Sequence, residues 1–265
     1  MATRERGEDV DVDRPSALHS TVEPGTVVLV TGGARGIGAS LARHLAAEGA
    51  AVVAADVVDA EWDADGLGVT HVRTDVSDEA SWRHLVTTAL DRHGRIDALV
   101  NNAAVYQGLG AKRAFTDISV EEWDRVMAVN TRGVWLGMRA VHPAMKRQGH
   151  GRVVNIASST VHMGVPYFAH YTASKGAVIA LTRSVAREVG QDGITVNAIA
   201  PGIVETEATL ALNDDAYLAA AAGRRAVPRR MEPTDLCPAV SFLCSRGSGF
   251  ITGQTLIVDG GMAFS

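Results

Sequence analysis

The segment Thr31-Gly32-Gly33-Ala34-Arg35-Gly36-Ile37-Gly38 follows the apolar run Thr26–Thr31 directly and leads into a helical pattern over Ala39–Glu48. A strand that turns into a helix within so few residues needs glycines. Gly32 permits the tight turn, Gly36 lets backbone approach a bound group, and Gly38 lets the helix lie close on the sheet. The helix N-terminus then offers free N–H groups and a positive dipole end to an anion. Such a unit restricts the chain to strand–helix–strand folding, and its most natural ligand is a dinucleotide pyrophosphate.

The rest of the chain continues the same alternation. The apolar pattern predicts further strands at 51–56, 69–74, 97–101, 152–157, 194–199 and 255–258. Between them, 3.6-residue periodicity predicts helices at 77–93, 119–147 (one or two), 168–189 and 233–245. Strands alternating with helices give an α/β class, a doubly wound parallel sheet flanked by helices. No repeat or linker divides the chain after residue 25, so residues 25–265 are read as one domain. Residues 1–24 are rich in Asp, Glu and Arg, lack an apolar core segment, and read as a disordered extension rather than a signal peptide.

Composition closes off several functions. Among 265 residues, 46% are hydrophobic and the net charge is −5, which leaves no basic footprint for nucleic acid. No apolar run reaches the roughly 18 residues of a membrane span. Cys237 and Cys244 are too few for a disulfide framework and are read as buried free thiols in a cytoplasmic protein. The histidines are scattered without metal-ligand spacing, so no metal is expected.

The chemistry sits further along. Tyr171 and Lys175 are four apart on a helix and share a face. An ammonium fixed beside a phenol lowers the phenol pKa, and Tyr171 is on that ground a general acid/base. Asp56 ends the second strand and can accept bonds from adenosine ribose hydroxyls. A 2′-phosphate would meet it as a like charge, which favours NAD. Arg35 in the glycine turn pulls the other way, toward NADP. Asp75-Val76 and Asn101-Asn102-Ala103-Ala104 close the third and fourth strands, where open α/β sheets bind ligands. Tyr106, Gln107, His162, Met163, Tyr167, His170 and the Ala-rich segment 204–230, read as a mobile lid, are the candidates for a substrate pocket.

Taken together, these residues resemble the short-chain dehydrogenase/reductase family, over nearly the whole chain after residue 25. The matching segments are TGGARGIG at 31–38, Asp75-Val76, NNAA at 101–104, Asn130, Ser158, YTASK at 171–175, Pro201-Gly202, Thr206 and the closing ITGQTLIVDGG. Ala104 departs from the family's usual Gly. The resemblance implies a Rossmann-like sheet of order 3-2-1-4-5-6-7 and a catalytic tetrad of Asn130, Ser158, Tyr171 and Lys175. It implies that Tyr171 exchanges a proton with the substrate oxygen while Ser158 orients it. Lys175 holds the nicotinamide ribose, and Asn130 positions a water that links Lys175 to solvent. Gly32, Arg35, Gly36, Ile37, Gly38, Asp56, Asp75, Val76, Asn102, Ala103, Tyr171, Lys175, Pro201, Gly202, Ile203 and Thr206 are then the cofactor-binding residues. The mixed aromatic and polar pocket candidates suit a small to medium secondary alcohol or ketone as substrate, and the resemblance implies a homodimer or homotetramer built on the helices of Asn130 and Tyr171. An NADPH-dependent β-ketoacyl reductase and a non-catalytic dinucleotide sensor are the alternatives.

Overall fold

The computed structural model describes residues 21–60, 62, 66–106, 109 and 112–264. Seven parallel strands form one sheet in the order β3-β2-β1-β4-β5-β6-β7. They are β1 (Val27–Thr31), β2 (Ala51–Asp56), β3 (Thr70–Arg73), β4 (Ala98–Asn101), β5 (Gly151–Ile156), β6 (Ile194–Pro201) and β7 (Thr255–Val258). The central strands are buried along their whole length, as parallel strands covered on both faces must be. Within β1 the pleat sends Leu29 to one face and Val28 and Val30 to the other.

Each face carries its own helices. Leu29, Val53 and Leu99 pack with Trp82 and Leu85 of α2 (Glu79–His93), Met145 of α4 (Gly133–Gln148) and Val178 of α6 (Ala169–Val189). Val28, Val30 and Ile199 pack with Leu41 and Leu45 of α1 (Gly36–Ala47) and Val240 of α9 (Cys237–Cys244). Each such Leu or Val contributes about 1.5–3 kcal/mol by leaving water. Cys237 and Cys244 are free and buried, as expected. No helix among the described residues is long and apolar enough to cross a membrane.

Between β1 and β4 the strand order reverses, and the crevice at their carboxyl ends is where such sheets take ligands. Thr31 secures that edge: its Oγ1 accepts from the backbone N–H groups of Asn102 (3.0 Å) and Ala103 (3.1 Å).

Three differences from the sequence reading matter. Residues 119–147 carry two helices, as expected, but α3 (Val120–Met127) and α4 are joined by an unforeseen π-helical turn, Ala128–Arg132, with Asn130 at its centre. Segment 204–230, read as a lid, carries two helices that the sequence reading did not assign, α7 (Glu207–Leu212) and α8 (Asp215–Gly223), capped by Thr206 and Asp214. A one-turn α5 (Thr160–Met163) precedes α6. The extension assigned to residues 1–24 lies outside the described residues as far as 20. Within 21–24, Val22 is buried and its N–H donates to Ser241 Oγ at 3.2 Å, so this end of the segment packs on the domain.

Candidate active site

At the end of β1, the glycine turn is shaped by close approach. Gly32 has φ +63°, and a Cβ there would lie 2.8 Å from Ala103 Cα. A Cβ on Gly38 would collide with the carbonyl oxygen of Gly32. Gly36, at φ +55°, faces Thr206, whose methyl would be 3.7 Å from an added Cβ. That leaves a backbone-lined cradle between the turn and Thr206. The N-cap of α1 is Arg35, in extended conformation, and no side chain caps this end. Free N–H groups therefore face the cradle, which fits a pyrophosphate.

Asp56 closes the far wall. Its Oδ2 accepts from Ala34 N–H at 3.0 Å and its Oδ1 from Val58 N–H at 3.1 Å. These bonds fix the carboxylate and leave lone pairs for ribose hydroxyls. Arg35 is exposed at the rim. Asn102 spends its amide on the turn, donating to Thr31 O (2.9 Å) and Gly32 O (3.1 Å). It shapes the cradle, as its neighbour Ala103 does through the contact with Gly32. Asp75 forms a turn with Ser77, its Oδ1 accepting from both N–H and Oγ. Val76 is a packing residue whose carbonyl accepts from Trp82 Nε1 at 2.9 Å. Pro201 ends β6. Ile203 follows, its carbonyl held by the buried Arg225 at 2.7 Å. Gly202 packs on Asp259, with which a Cβ would clash at 2.8 Å.

Ser158, Tyr171 and Lys175 meet at the carboxyl end of β5. Ser158 Oγ accepts from Thr160 Oγ1 at 3.0 Å, so its own proton is free to point elsewhere. The Ser158 side chain faces the Tyr171 hydroxyl closely enough to oppose the rise in its pKa. Lys175 Nζ donates to Ile156 O at 2.7 Å and stands 5.8 Å from the centre of the Tyr171 ring. Asn130 is fully buried: its Oδ1 accepts from Val105 N–H (2.7 Å) and its Nδ2 donates to Ser174 Oγ (3.1 Å) and Val105 O (3.3 Å). The four expected residues are thus brought into one region. Asn130 reaches it through Ser174, beside Lys175, with its amide engaged by protein.

One electrostatic expectation is corrected. Lys175 was expected to lower the Tyr171 phenol. Burial instead pushes the phenol well above its ordinary value, the neighbouring Tyr106 adds to this, and the Ser158 side chain opposes it only in part. Burial likewise pulls Lys175 down to about 8. Both groups lose water, and the ammonium is drawn to Ile156 O rather than to the phenol oxygen. In this structure the phenol is held protonated.

An aromatic wall stands over Tyr171. Tyr106, Leu109, Phe168 and Tyr171 form a cluster with Val105 and Val165. The Tyr106 and Phe168 rings lie 5.4 and 4.7 Å from that of Tyr171. The Tyr106 side chain meets Thr209 and Asn213 at the end of α7, and Lys112 bridges to Asn213 and Tyr217 at 3.3 Å each. Leu109 and Phe168 were not singled out from the sequence, although Phe168, three residues before Tyr171, was a signal. Gln107 lies outside the described residues. His162 and Tyr167 are exposed, and Tyr167 has φ +62°. His170 turns away from the pocket and pairs with Glu122.

Comparison with known proteins accords with this geometry. Residues 32–263 match the model of a family described as enoyl-(acyl carrier protein) reductase. A 3-alpha-(or 20-beta)-hydroxysteroid dehydrogenase of Mycobacterium tuberculosis is 40% identical, over 89% of each chain. A 3-oxoacyl-(acyl-carrier-protein) reductase of Vibrio cholerae is 38% identical, over 90% of this chain and 97% of that one. The crystal structure of levodione reductase superimposes with a TM-score of 0.81 at 32% identity, over 90% of this chain and 97% of that one.

Proposed function

This chain belongs to the short-chain dehydrogenase/reductase family, and from that premise we propose an NAD-dependent dehydrogenase of secondary alcohols, acting in reverse as a ketone reductase. The chain is an oxidoreductase of CH–OH and C=O groups that uses NAD or NADP. The convergence of Ser158, Tyr171 and Lys175 beside the glycine cradle is the observation that carries the proposal.

A nicotinamide bound in the cradle would supply or accept the hydride. In ketone reduction Tyr171 gives its proton to the substrate oxygen; burial suits it to this, because the resting phenol is protonated. In oxidation the phenol first gives up its own proton toward Lys175, which burial brings down to about 8, and the phenolate then takes the alcohol proton. Ser158 turns its free O–H to the same oxygen and stabilises charge developing there. Lys175 keeps two N–H donors beyond its bond to Ile156 O, and these would hold the nicotinamide ribose. Asn130 orders Ser174 and Val105 on either side of the pair and supports proton relay from Lys175. Gly32, Gly36, Ile37 and Gly38 would hold the pyrophosphate, Asp56 the adenosine ribose, and Pro201 to Thr206 the nicotinamide end. The apolar wall of Leu109, Phe168 and Val165 suits a substrate with a neutral hydrocarbon body.

Arg35 supports a second reading. Exposed at the cradle rim, it could pair with a 2′-phosphate, giving an NADPH-dependent β-ketoacyl reductase. Absorbance at 340 nm with cyclohexanol, a hydroxysteroid and an acetoacetyl thioester, each with both nucleotides, separates the two. Turnover of alcohols with NAD supports the first; thioester reduction with NADPH alone supports the second. No turnover at all contradicts both.

We propose a homodimer or homotetramer as the assembly. A groove between α3, α4 and α6 is lined by Asp124, Met127, Thr131, Arg132, Leu181 and the exposed Trp135, apolar surface that the sheet does not cover. The free thiols suit a cytoplasmic setting.

A further inference from the structure

We propose that Glu122 is a positioning residue for the substrate pocket, holding Arg113 and His170 so that the wall over Tyr171 keeps its place. The proposal rests on the dehydrogenase reading for its substrate, though not for its geometry.

Glu122 is the third residue of α3, after the Ser119 N-cap whose Oγ accepts from Glu122 N–H at 3.1 Å. An acid at this position commonly turns back to the cap residue's own N–H. Here its two oxygens go to other parts of the chain. Oε2 meets Arg113 NH1 at 3.1 Å, and Oε1 meets His170 Nε2 at 3.1 Å. His170 is buried and Glu122 nearly so, so their contact is not an ordinary surface pair, while Arg113 reaches the same carboxylate from a half-exposed position.

Both partners lead to the pocket. Arg113 NH2 donates to Leu109 O at 3.2 Å, and Arg113 N–H donates to Tyr167 O at 3.2 Å. Leu109 packs in the cluster with Phe168 and Tyr171. His170 lies between Tyr171 and the start of α6, its ring edge-on to Phe168 at 6.1 Å. One carboxylate therefore ties the segment carrying Leu109 to the helix carrying Tyr171. Tyr167, whose positive φ is unusual for a residue with a side chain, is the point where the two meet. Without Glu122, Arg113 loses its anchor and the Leu109 side of the wall is free to swing from Tyr171. Tyr171 itself stays seated on α6.

The test compares Glu122→Ala, Arg113→Ala and the double variant in the full chain. Arg113 is half exposed, so its truncation spares the core. Hydrogen exchange of the backbone amides of Leu109, Arg113 and Ala114 is expected to rise at least about tenfold in each variant, with the β4 amides unchanged. KM for cyclohexanol, or for the best alcohol of the panel, is expected to rise about tenfold, with kcat within about threefold and NAD affinity unchanged. The double variant is expected to match the worse single one within about twofold, because both cut the same tie. Unchanged exchange, a KM within twofold of wild type, a loss confined to kcat, or multiplying effects in the double variant would overturn the proposal. A wild type silent on the whole panel refutes the dehydrogenase reading instead, and exchange alone then upholds or overturns the tie.

Discussion

Replacing Asp56 with alanine is expected to remove most of the preference for NAD over NADP. The carboxylate is held in place by the N–H groups of Ala34 and Val58, so it cannot swing away from a 2′-phosphate. At roughly 4 Å and an effective dielectric of about 20, each unit of phosphate charge costs about 4 kcal/mol. Salt screening and the exposed Arg35 offset part of this. A net penalty of about 2.7 kcal/mol corresponds to roughly a hundredfold preference for NAD. In Asp56→Ala the like-charge contact disappears and the ribose hydroxyls lose an acceptor. The kcat/KM for NAD is then expected to fall and that for NADP to rise, bringing the ratio to within about tenfold. Steady-state kinetics with each nucleotide on both proteins measures it. A wild type that prefers NADP, or a ratio that Asp56→Ala leaves unchanged, would refute the reasoning and give Arg35 the dominant role.

Other consequences follow from the same geometry. Because burial lowers Lys175 to about 8 from 10.5, the folded state binds fewer protons than the unfolded one between those values. Stability should therefore rise with pH in that window, by about 2 kcal/mol from pH 8 to 9.5, relative to Lys175→Met. Urea melts of the two proteins across that range would show it, and parallel pH dependences would refute it. Deleting residues 1–20 should leave Tm and kcat unchanged, whereas deletion through 24 should lower Tm, because it removes the buried Val22. Light scattering should return a dimer or tetramer, and Trp135→Glu should weaken it; a wild-type monomer of about 28 kDa at micromolar concentration would contradict the groove's assignment.

Much of this was legible in the chain because the signals were local. The glycine turn lies between a continuous apolar strand and an amphipathic helix, and both faces of the sheet demand such runs. The π-helical turn at Asn130 was not legible: Ala128–Arg132 has no Pro or Gly, and the bulge is stabilised by Val105 and Ser174, which are distant in sequence. Helices α7 and α8 were missed although Thr206 and Asp214 are good N-caps before Ala-rich runs. His170 was placed in the pocket, yet one residue along a helix is a turn of about 100°, so it could not share the face of Tyr171. The Tyr171–Lys175 spacing was read correctly, but burial, which sets both protonation states, is a tertiary property.

Turnover by Tyr171→Phe is the most direct measurement of the central claim. In the proposed mechanism the phenol oxygen alone would exchange the substrate proton, while cofactor affinity would come from the glycine cradle, Asp56 and Lys175. The variant should lose a factor of about 10²–10⁴ in kcat. Its NAD affinity, by titration calorimetry, should stay within about threefold of wild type. A kcat within tenfold of wild type would contradict the assignment of Tyr171 as the general acid/base.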